Sequence, residues 1–161
     1  MSMLLTLLRH AKAVSARGQQ DDFDRELELA GRHDAERVAQ RLCARGRIPD
    51  IMLTSPAARA LETARVFVTV LGTPMLLEDE RLYLASSETL LEVVRERGGD
   101  ARHLMIVGHN PGMSEFADKL SANVALGSLP TASAYTLRFD IETWSQLDWR
   151  SGVMLEFDHP R

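Results

Sequence analysis

Short apolar runs alternating with longer amphipathic stretches organise this chain. Leu4-Leu5-Thr6-Leu7-Leu8, Ile51-Met52-Leu53-Thr54 and Leu104-Met105-Ile106-Val107 are of strand length and almost wholly apolar. They predict strands buried on both faces, the first ending at Leu8. Between them the apolar period lengthens. Ala35, Val38, Ala39, Leu42 and Cys43 form a helical stripe beyond Gly31 that ends near Gly46. Ala57, Ala60, Leu61, Ala64, Phe67, Val68 and Leu71 predict a second helix, opened by Ser55 as N-cap with Pro56 at N1 and closed by Gly72. Arg59 and Thr63 fall off its apolar stripe. Ser86 or Ser87 caps a third helix carrying Leu90, Leu91, Val93 and Val94 up to Gly98-Gly99. Asn110-Pro111-Gly112 opens a fourth, marked by Met113, Phe116, Ala117 and Leu120. Met75 to Leu77, Ala134 to Phe139 and Val153 to Phe157 add β-like segments, whereas Ala11 to Ala30 is polar and predicts a long loop.

Strands alternating with helices favour an α/β layer fold with a largely parallel sheet. In such sheets ligands bind outside the carboxyl ends of the strands. That rule brings three segments to one rim: Arg9-His10, Ser55 to Arg59, and Gly108-His109.

Composition narrows the function classes. With 161 residues, 45% of them hydrophobic, the chain has enough apolar material for one core and is short for two, so residues 1–161 are expected to form one domain. Nineteen basic and 23 acidic residues give a net charge of −4. No bulk positive field exists to hold nucleic acid or an anionic membrane, although a local cationic pocket is compatible with that balance. The single cysteine, Cys43, supplies neither an internal disulfide nor a Cys-rich metal site, and fits a reducing compartment. The first apolar run is closed by Arg9-His10 and is too short for a secretory signal or a membrane span. A soluble, cytoplasmic protein is the expectation.

The chemistry of the rim points to an anion. Arg9 and Arg59 offer planar forks of donors suited to phosphate or carboxylate. The helix openings at Asn110-Pro111-Gly112 and Ser55-Pro56 add free backbone N–H groups. A neutral imidazole beside such a pocket attacks phosphorus, and a second, protonated imidazole stabilises the equatorial oxygens, with no metal or other cofactor required by the scheme. One neutral and one charged histidine predict a bell-shaped pH dependence around neutrality.

Competing phosphate chemistries fit less well. Six residues beyond Cys43 stands Pro49, where a cysteine phosphatase needs Arg, and Cys43 falls in the core stripe of the first helix. Asp22-Phe23-Asp24 superficially resembles an aspartate-nucleophile motif, but no buried strand precedes it, and an exposed acidic loop is the better reading. The Gly-rich phosphate loop, the dinucleotide fingerprint and the nucleophile elbow are all missing from the sequence. The histidines lack metal-ligand spacing, and His33, His103 and His159 are expected at the surface.

Three motifs in order, Leu7-Leu8-Arg9-His10-Ala11-Lys12, Ser55-Pro56-Ala57-Ala58-Arg59-Ala60-Leu61-Glu62-Thr63-Ala64 and Val107-Gly108-His109-Asn110-Pro111-Gly112, resemble the histidine phosphatase superfamily. The likeness is to its small SixA-like phosphohistidine phosphatase branch. It extends to Asp50, Arg81-Leu82-Tyr83 and Leu129-Pro130-Thr131. The resemblance implies a three-layer α/β/α sandwich of the phosphoglycerate mutase-like type, with His10 as nucleophile, Arg9 and Arg59 on the phosphoryl oxygens, and His109 completing the pocket. Ala11 stands where the family usually has glycine, a variation the SixA-like branch shares. Lys12 adds positive charge at the pocket mouth in this reading. Many members use a mid-chain glutamate as general acid; Glu78, Asp79 and Glu80 crowd that region beside Arg81, and Glu80 is the candidate among them.

The implied activity is metal-independent phosphohydrolysis, with a phosphorylated protein as substrate because little chain remains for a lid. A small phosphate ester is the alternative substrate, and a non-catalytic phosphate-binding module the alternative function. Neither nucleic acid nor membrane is an expected partner, and oligomeric state is not legible.

Overall fold

The computed structural model describes residues 2–123 and 127–161. Its sheet contains β1 (Met3–Arg9), β2 (Ile51–Thr54), β3 (Leu76–Glu78), β4 (His103–Gly108), β5 (Ala134–Phe139) and β6 (Val153–Asp158) in the order β3-β2-β4-β1-β5-β6. The first four in that order run parallel, and β5 is antiparallel to both β1 and β6. Helices α1 (Leu29–Ala44), α2 (Ala58–Leu71), α3 (Ser87–Arg97) and α4 (Gly112–Leu120) complete the fold.

Strand alternation creates the layers. Leu8, Met52, Met105 and Val107 pack with Val38, Leu42 and Phe67 of α1 and α2. Their neighbours Leu5, Leu7, Leu53, Leu104 and Ile106 pack with Leu90, Val94, Met113 and Phe116 of α3 and α4. Both faces are therefore covered, which is why the central strands read as continuous apolar runs. Each large side chain so buried stabilises the fold by about 1.5–3 kcal/mol. The expected three-layer α/β/α arrangement is what the chain adopts. Among the described residues, no helix is long and apolar enough to cross a membrane.

Several local expectations are corrected. β1 continues to Arg9, one residue past the apolar run, because Arg9 pairs with Gly108 and its N–H donates to the Ser133 carbonyl. Helix α1 starts at Leu29, and Cys43 is exposed because it lies one helical step beyond Leu42, the last buried residue of the stripe. Helix α2 starts at Ala58, with Ala57 as N-cap, so Ser55 and Pro56 precede the helix. His103 is buried, opposite Leu4 on β1, with Nε2 and the Thr6 hydroxyl 2.7 Å apart; Thr6 in turn meets Thr136 at 2.8 Å. A polar ladder inside the sheet thus replaces the expected surface role. His33 is exposed and His159 half-buried.

Candidate active site

Strand register brings the two rim histidines together. Arg9 lies opposite Gly108, so His10 and His109 leave adjacent parallel strands at the same height. The His10 N–H donates to the Gly108 carbonyl at 3.1 Å, and the imidazole centroids are 5.2 Å apart. Thr54 lies opposite Val107, which delivers Ser55 to the same rim, its N–H bonded to the Val107 carbonyl. Arg59, on the first turn of α2, returns toward this rim with a side chain only 4% exposed.

The loop after His10 is held from two sides. The Ala11 N–H donates to the Thr63 hydroxyl at 3.0 Å, and that hydroxyl donates to the Arg59 carbonyl at 2.7 Å. Thr63 and Arg59 are therefore buried by this polar seam although they lie off the apolar stripe. On the other side Gly31 of α1 lies so close to Lys12 that a Cβ there would stand 2.2 Å from the Lys12 carbonyl oxygen. Glycine is the residue that permits that approach.

Hydrogen bonding fixes the ring orientations. His10 Nδ1 lies 2.7 Å from the Ala11 carbonyl oxygen. A carbonyl only accepts, so Nδ1 carries the proton and Nε2 keeps its lone pair in the neutral ring. His109 Nε2 lies 2.8 Å from Ser55 Oγ, which also accepts the Ala57 N–H at 3.2 Å. Where the Ser55 hydroxyl donates to Nε2, the proton of the neutral His109 ring sits on Nδ1, the tautomer in which Nδ1 is a donor. Among the described residues Nδ1 is buried without a partner, as is Nε of Arg9, whose Nη1 donates to the Leu129 carbonyl at 2.7 Å.

Burial governs the charge of both rings. It lowers His10 to about 4, with Arg59, Arg9 and Arg25 adding repulsion against the opposing effect of the Ala11 hydrogen bond. His109 falls to about 3, again chiefly by burial and then by His10 and Arg59. Both imidazoles are neutral at neutral pH in the unliganded protein. The expectation of one charged ring, and of a bell centred on neutrality, is corrected accordingly: water is excluded, and nearby guanidinium charge opposes a second cation.

Asp22, set aside on sequence as part of an exposed loop, is half-buried and belongs to this cluster. Arg59 Nη1 donates to its carbonyl at 2.7 Å, and Arg59 Nη2 to Oδ2 at 2.9 Å. Arg25 Nη1 donates to Oδ1 at 2.8 Å, and the Tyr83 hydroxyl to Oδ2 at 2.6 Å. These donors hold the carboxyl far below the usual range, Tyr83 contributing most, then Arg25, then Arg59. The Tyr83 ring meets His109 edge-on, centroids 5.4 Å apart.

The structure therefore brings together Arg9, His10, Arg59 and His109. Glu80 is exposed in a 3-10 turn at Glu80–Leu82, and Lys12, with a side chain 64% exposed, pairs with Glu28 at 3.5 Å. Neither makes a hydrogen bond or ion pair with those four among the described residues. Asp79 is occupied by Arg81 and Arg97. Sequence reasoning brought Ser55 to the rim as a helix opener but missed its hydroxyl contact with His109, and it missed Asp22 and Tyr83 as members of the cluster. A cavity of about 760 Å³ lined by Asp34, Arg37, Pro130, Thr131 and His159 includes none of these groups. Among the described residues there is no cluster of three or more His, Cys, Asp or Glu suited to a metal ion.

Comparison with known proteins identifies the family and the fold. Residues 5–82 match the model of the histidine phosphatase superfamily (branch 1), and an uncharacterized chloroplastic protein of Arabidopsis thaliana is 30% identical over 162 residues, 94% of this chain and 73% of that protein. The chain belongs to the histidine phosphatase superfamily. Within it, the chain is similar to a structure from Agrobacterium tumefaciens provisionally assigned as the phosphohistidine phosphatase SixA, at 28% identity and a TM-score of 0.82, with 99% of each chain covered. A second provisionally assigned SixA structure, from Nakamurella multipartitia, shares the fold at 23% identity and a TM-score of 0.85, with 99% and 97% covered. The fold is thus SixA-like, in the superfamily and architecture that the three motifs imply.

Proposed function

We propose that residues 1–161 form one catalytic domain, a metal-independent phosphatase working through a phosphohistidine at His10, with protein phosphohistidine as its substrate. One observation carries the reading: two buried polar atoms without partners among the described residues, Arg9 Nε and His109 Nδ1, belong to a guanidinium whose charge acts on His10 and to the ring whose centroid lies 5.2 Å from it. A buried unmet donor costs about 1–3 kcal/mol, and an arriving phosphoryl oxygen relieves that cost.

In this scheme Nε2 of His10 attacks phosphorus while the bond to the leaving nitrogen breaks, and the departing imidazole takes a proton from solvent water. Arg9, Arg59 and the Nδ1–H of His109 hold the equatorial oxygens as their charge is redistributed. Water then attacks the phosphohistidine, its P–N bond breaks toward His10, and phosphate leaves. Ser55 keeps the His109 ring turned so that Nδ1 is the donor.

The substrate class follows from the acids near the rings. Asp22 is ionised and tied to four donor contacts, and Glu80 makes no hydrogen bond or ion pair with the catalytic candidates among the described residues. A site without a ready proton donor suits a P–N bond, which needs less general-acid help than an alkyl phosphate. The similarity to the Agrobacterium protein supports the same choice. A cytoplasmic setting goes with this reading, in keeping with a chain whose one cysteine is unpaired.

The test compares kcat/KM on a histidine-phosphorylated protein with that on sugar and nucleotide phosphates. The reading predicts preference for the phosphoprotein, loss of turnover in His10→Ala, and a labelled enzyme intermediate stable to alkali and labile to acid. Preference for esters reassigns the substrate to small phosphomonoesters. Undiminished turnover by His10→Ala removes the mechanism.

A further inference from the structure

We propose that Asp22 is an internal competitor for the phosphoryl group: its carboxylate occupies the donor edge of Arg59 in the unliganded protein and thereby limits how tightly the site holds oxyanions. The inference rests on the phosphatase reading above and assigns a specificity-determining residue to that site.

Arg59 is nearly sealed from water, and both of its terminal nitrogens donate to Asp22, one to the backbone carbonyl and one to the carboxylate. The other carboxylate oxygen binds Arg25, whose charge also acts on His10. One anion thus presents two oxygens to two guanidinium groups, the pattern a phosphoryl group makes when it arrives. Tyr83 anchors the carboxylate from the side of His109, linking the resident anion to the catalytic rings. Asp22 and Phe23 open a 3-10 turn in the connection between β1 and α1, and Phe23 packs edge-on against Tyr83 while remaining 37% exposed. The competing group is therefore carried by a surface turn with no buried residue of its own.

A phosphoryl group reaching the Arg59 nitrogens either displaces the carboxylate or sits against it. Both outcomes lower its affinity, because like charges in a partly buried site repel strongly. The effect falls hardest on inorganic phosphate, the product, which lacks the contacts that a protein substrate adds outside the pocket. Return of Asp22 to Arg59 then favours product release.

The alternative is that Asp22 merely holds Arg59 in place. The two roles predict opposite signs for Asp22→Asn, which keeps a carbonyl oxygen of the same reach and removes the charge. Calorimetric titration of inorganic phosphate and of tungstate into wild type and variant separates them. Competition predicts that both bind the variant more tightly, on the order of tenfold. It also predicts a lower phosphate inhibition constant, a lower KM, and a kcat reduced by slow phosphate release. Unchanged or weaker oxyanion binding by a variant with a normal thermal transition overturns the proposal. Should Asp22→Asn fail to fold, Tyr83→Phe carries the same test: it removes one anchor of the carboxylate, so tighter oxyanion binding supports competition and unchanged or weaker binding overturns it. Wild-type turnover is scored separately. An active wild type whose variants bind oxyanions no better removes only the role of Asp22, whereas an inactive wild type with tighter-binding variants removes only the phosphatase reading.

Discussion

Ser55 and His109 meet at 2.8 Å, hydroxyl oxygen to Nε2, although they are separated by 54 positions in sequence. The contact exists because β2 and β4 are parallel neighbours in the register that sets Thr54 opposite Val107. It leaves the other nitrogen of His109 buried and, among the described residues, unpartnered, on a ring whose centroid lies 5.2 Å from that of His10.

Ser55→Ala is expected to cut kcat about 5- to 150-fold, the range that a lost buried hydrogen bond of ~1–3 kcal/mol implies. The Ala57 N–H and His109 Nε2 both lose their partner, so the ring is free to turn and Nδ1 is no longer the fixed donor. Steady-state kinetics on a phosphohistidine protein, with circular dichroism to verify folding, checks this. Unchanged kcat shows that His109 is oriented without Ser55.

In the proposed mechanism His10 must be neutral to attack, and the pH profile of kcat/KM follows from that requirement. Burial lowers it to about 4, so the neutral nucleophile is lost only as pH falls through about 4, and no inflection belonging to this ring is expected at 6.5. Rates corrected for ionisation of the substrate should stay level from neutrality down to about pH 5. An acid limb near 6.5 would mean that the ring is solvated in the working enzyme.

Stability has its own acid dependence. His10, His103 and His109 all lie below the ordinary histidine value, at about 4, about 4 and about 3, with burial the leading cause in each. The unfolded chain therefore takes up protons first as pH falls, and stability should decline from about pH 6.5 downward until these groups protonate in the folded state. His103→Gln isolates one contribution away from the catalytic rim. Its melting temperature should be lower than wild type at pH 7.5, because the contact between the imidazole and Thr6 is lost, and the gap should narrow between pH 6.5 and pH 4. A gap that holds constant over that interval excludes His103 as a source of the acid dependence.

Where one principle determined position, the site was legible in the sequence. Apolar runs ending in Arg9-His10 and in Gly108-His109 needed only the rule that ligands gather at the carboxyl ends of parallel strands. Asp22 was not legible, because an acidic stretch after a glycine reads as solvated loop and nothing local reveals that Arg59, 37 positions away, is its partner. His103 failed for a similar reason: its ring partner, Thr6, comes from a strand remote in sequence and is itself held by Thr136 from another. Cys43 misled through periodicity alone, since a stripe allows one residue of slack at its end while the packed helix does not.

The same long-range packing makes Gly31 a site of control over His10. Glu28 donates its N–H to the Lys12 carbonyl at 2.9 Å, and Gly31 covers that carbonyl from the first turn of α1. A Cβ at position 31 would lie 2.2 Å from the Lys12 oxygen and 2.9 Å from its nitrogen, both backbone atoms that a rotamer change cannot move aside. Gly31→Ala must therefore push the segment after His10 away from α1, at a cost of about 1–3 kcal/mol, outweighing the gain in helix propensity of roughly 1 kcal/mol. The Ala11 carbonyl that fixes the His10 tautomer belongs to the same segment, so kcat should fall along with the melting temperature. Gly46→Ala is the control: its φ of +71° makes it costly for the backbone, but nothing stands within 4 Å of its Cβ position and it lies beyond the far end of the helix. It should lower the melting temperature while leaving kcat at its wild-type value. Equal losses of kcat in both variants would trace the effect to general destabilisation and not to the position of His10.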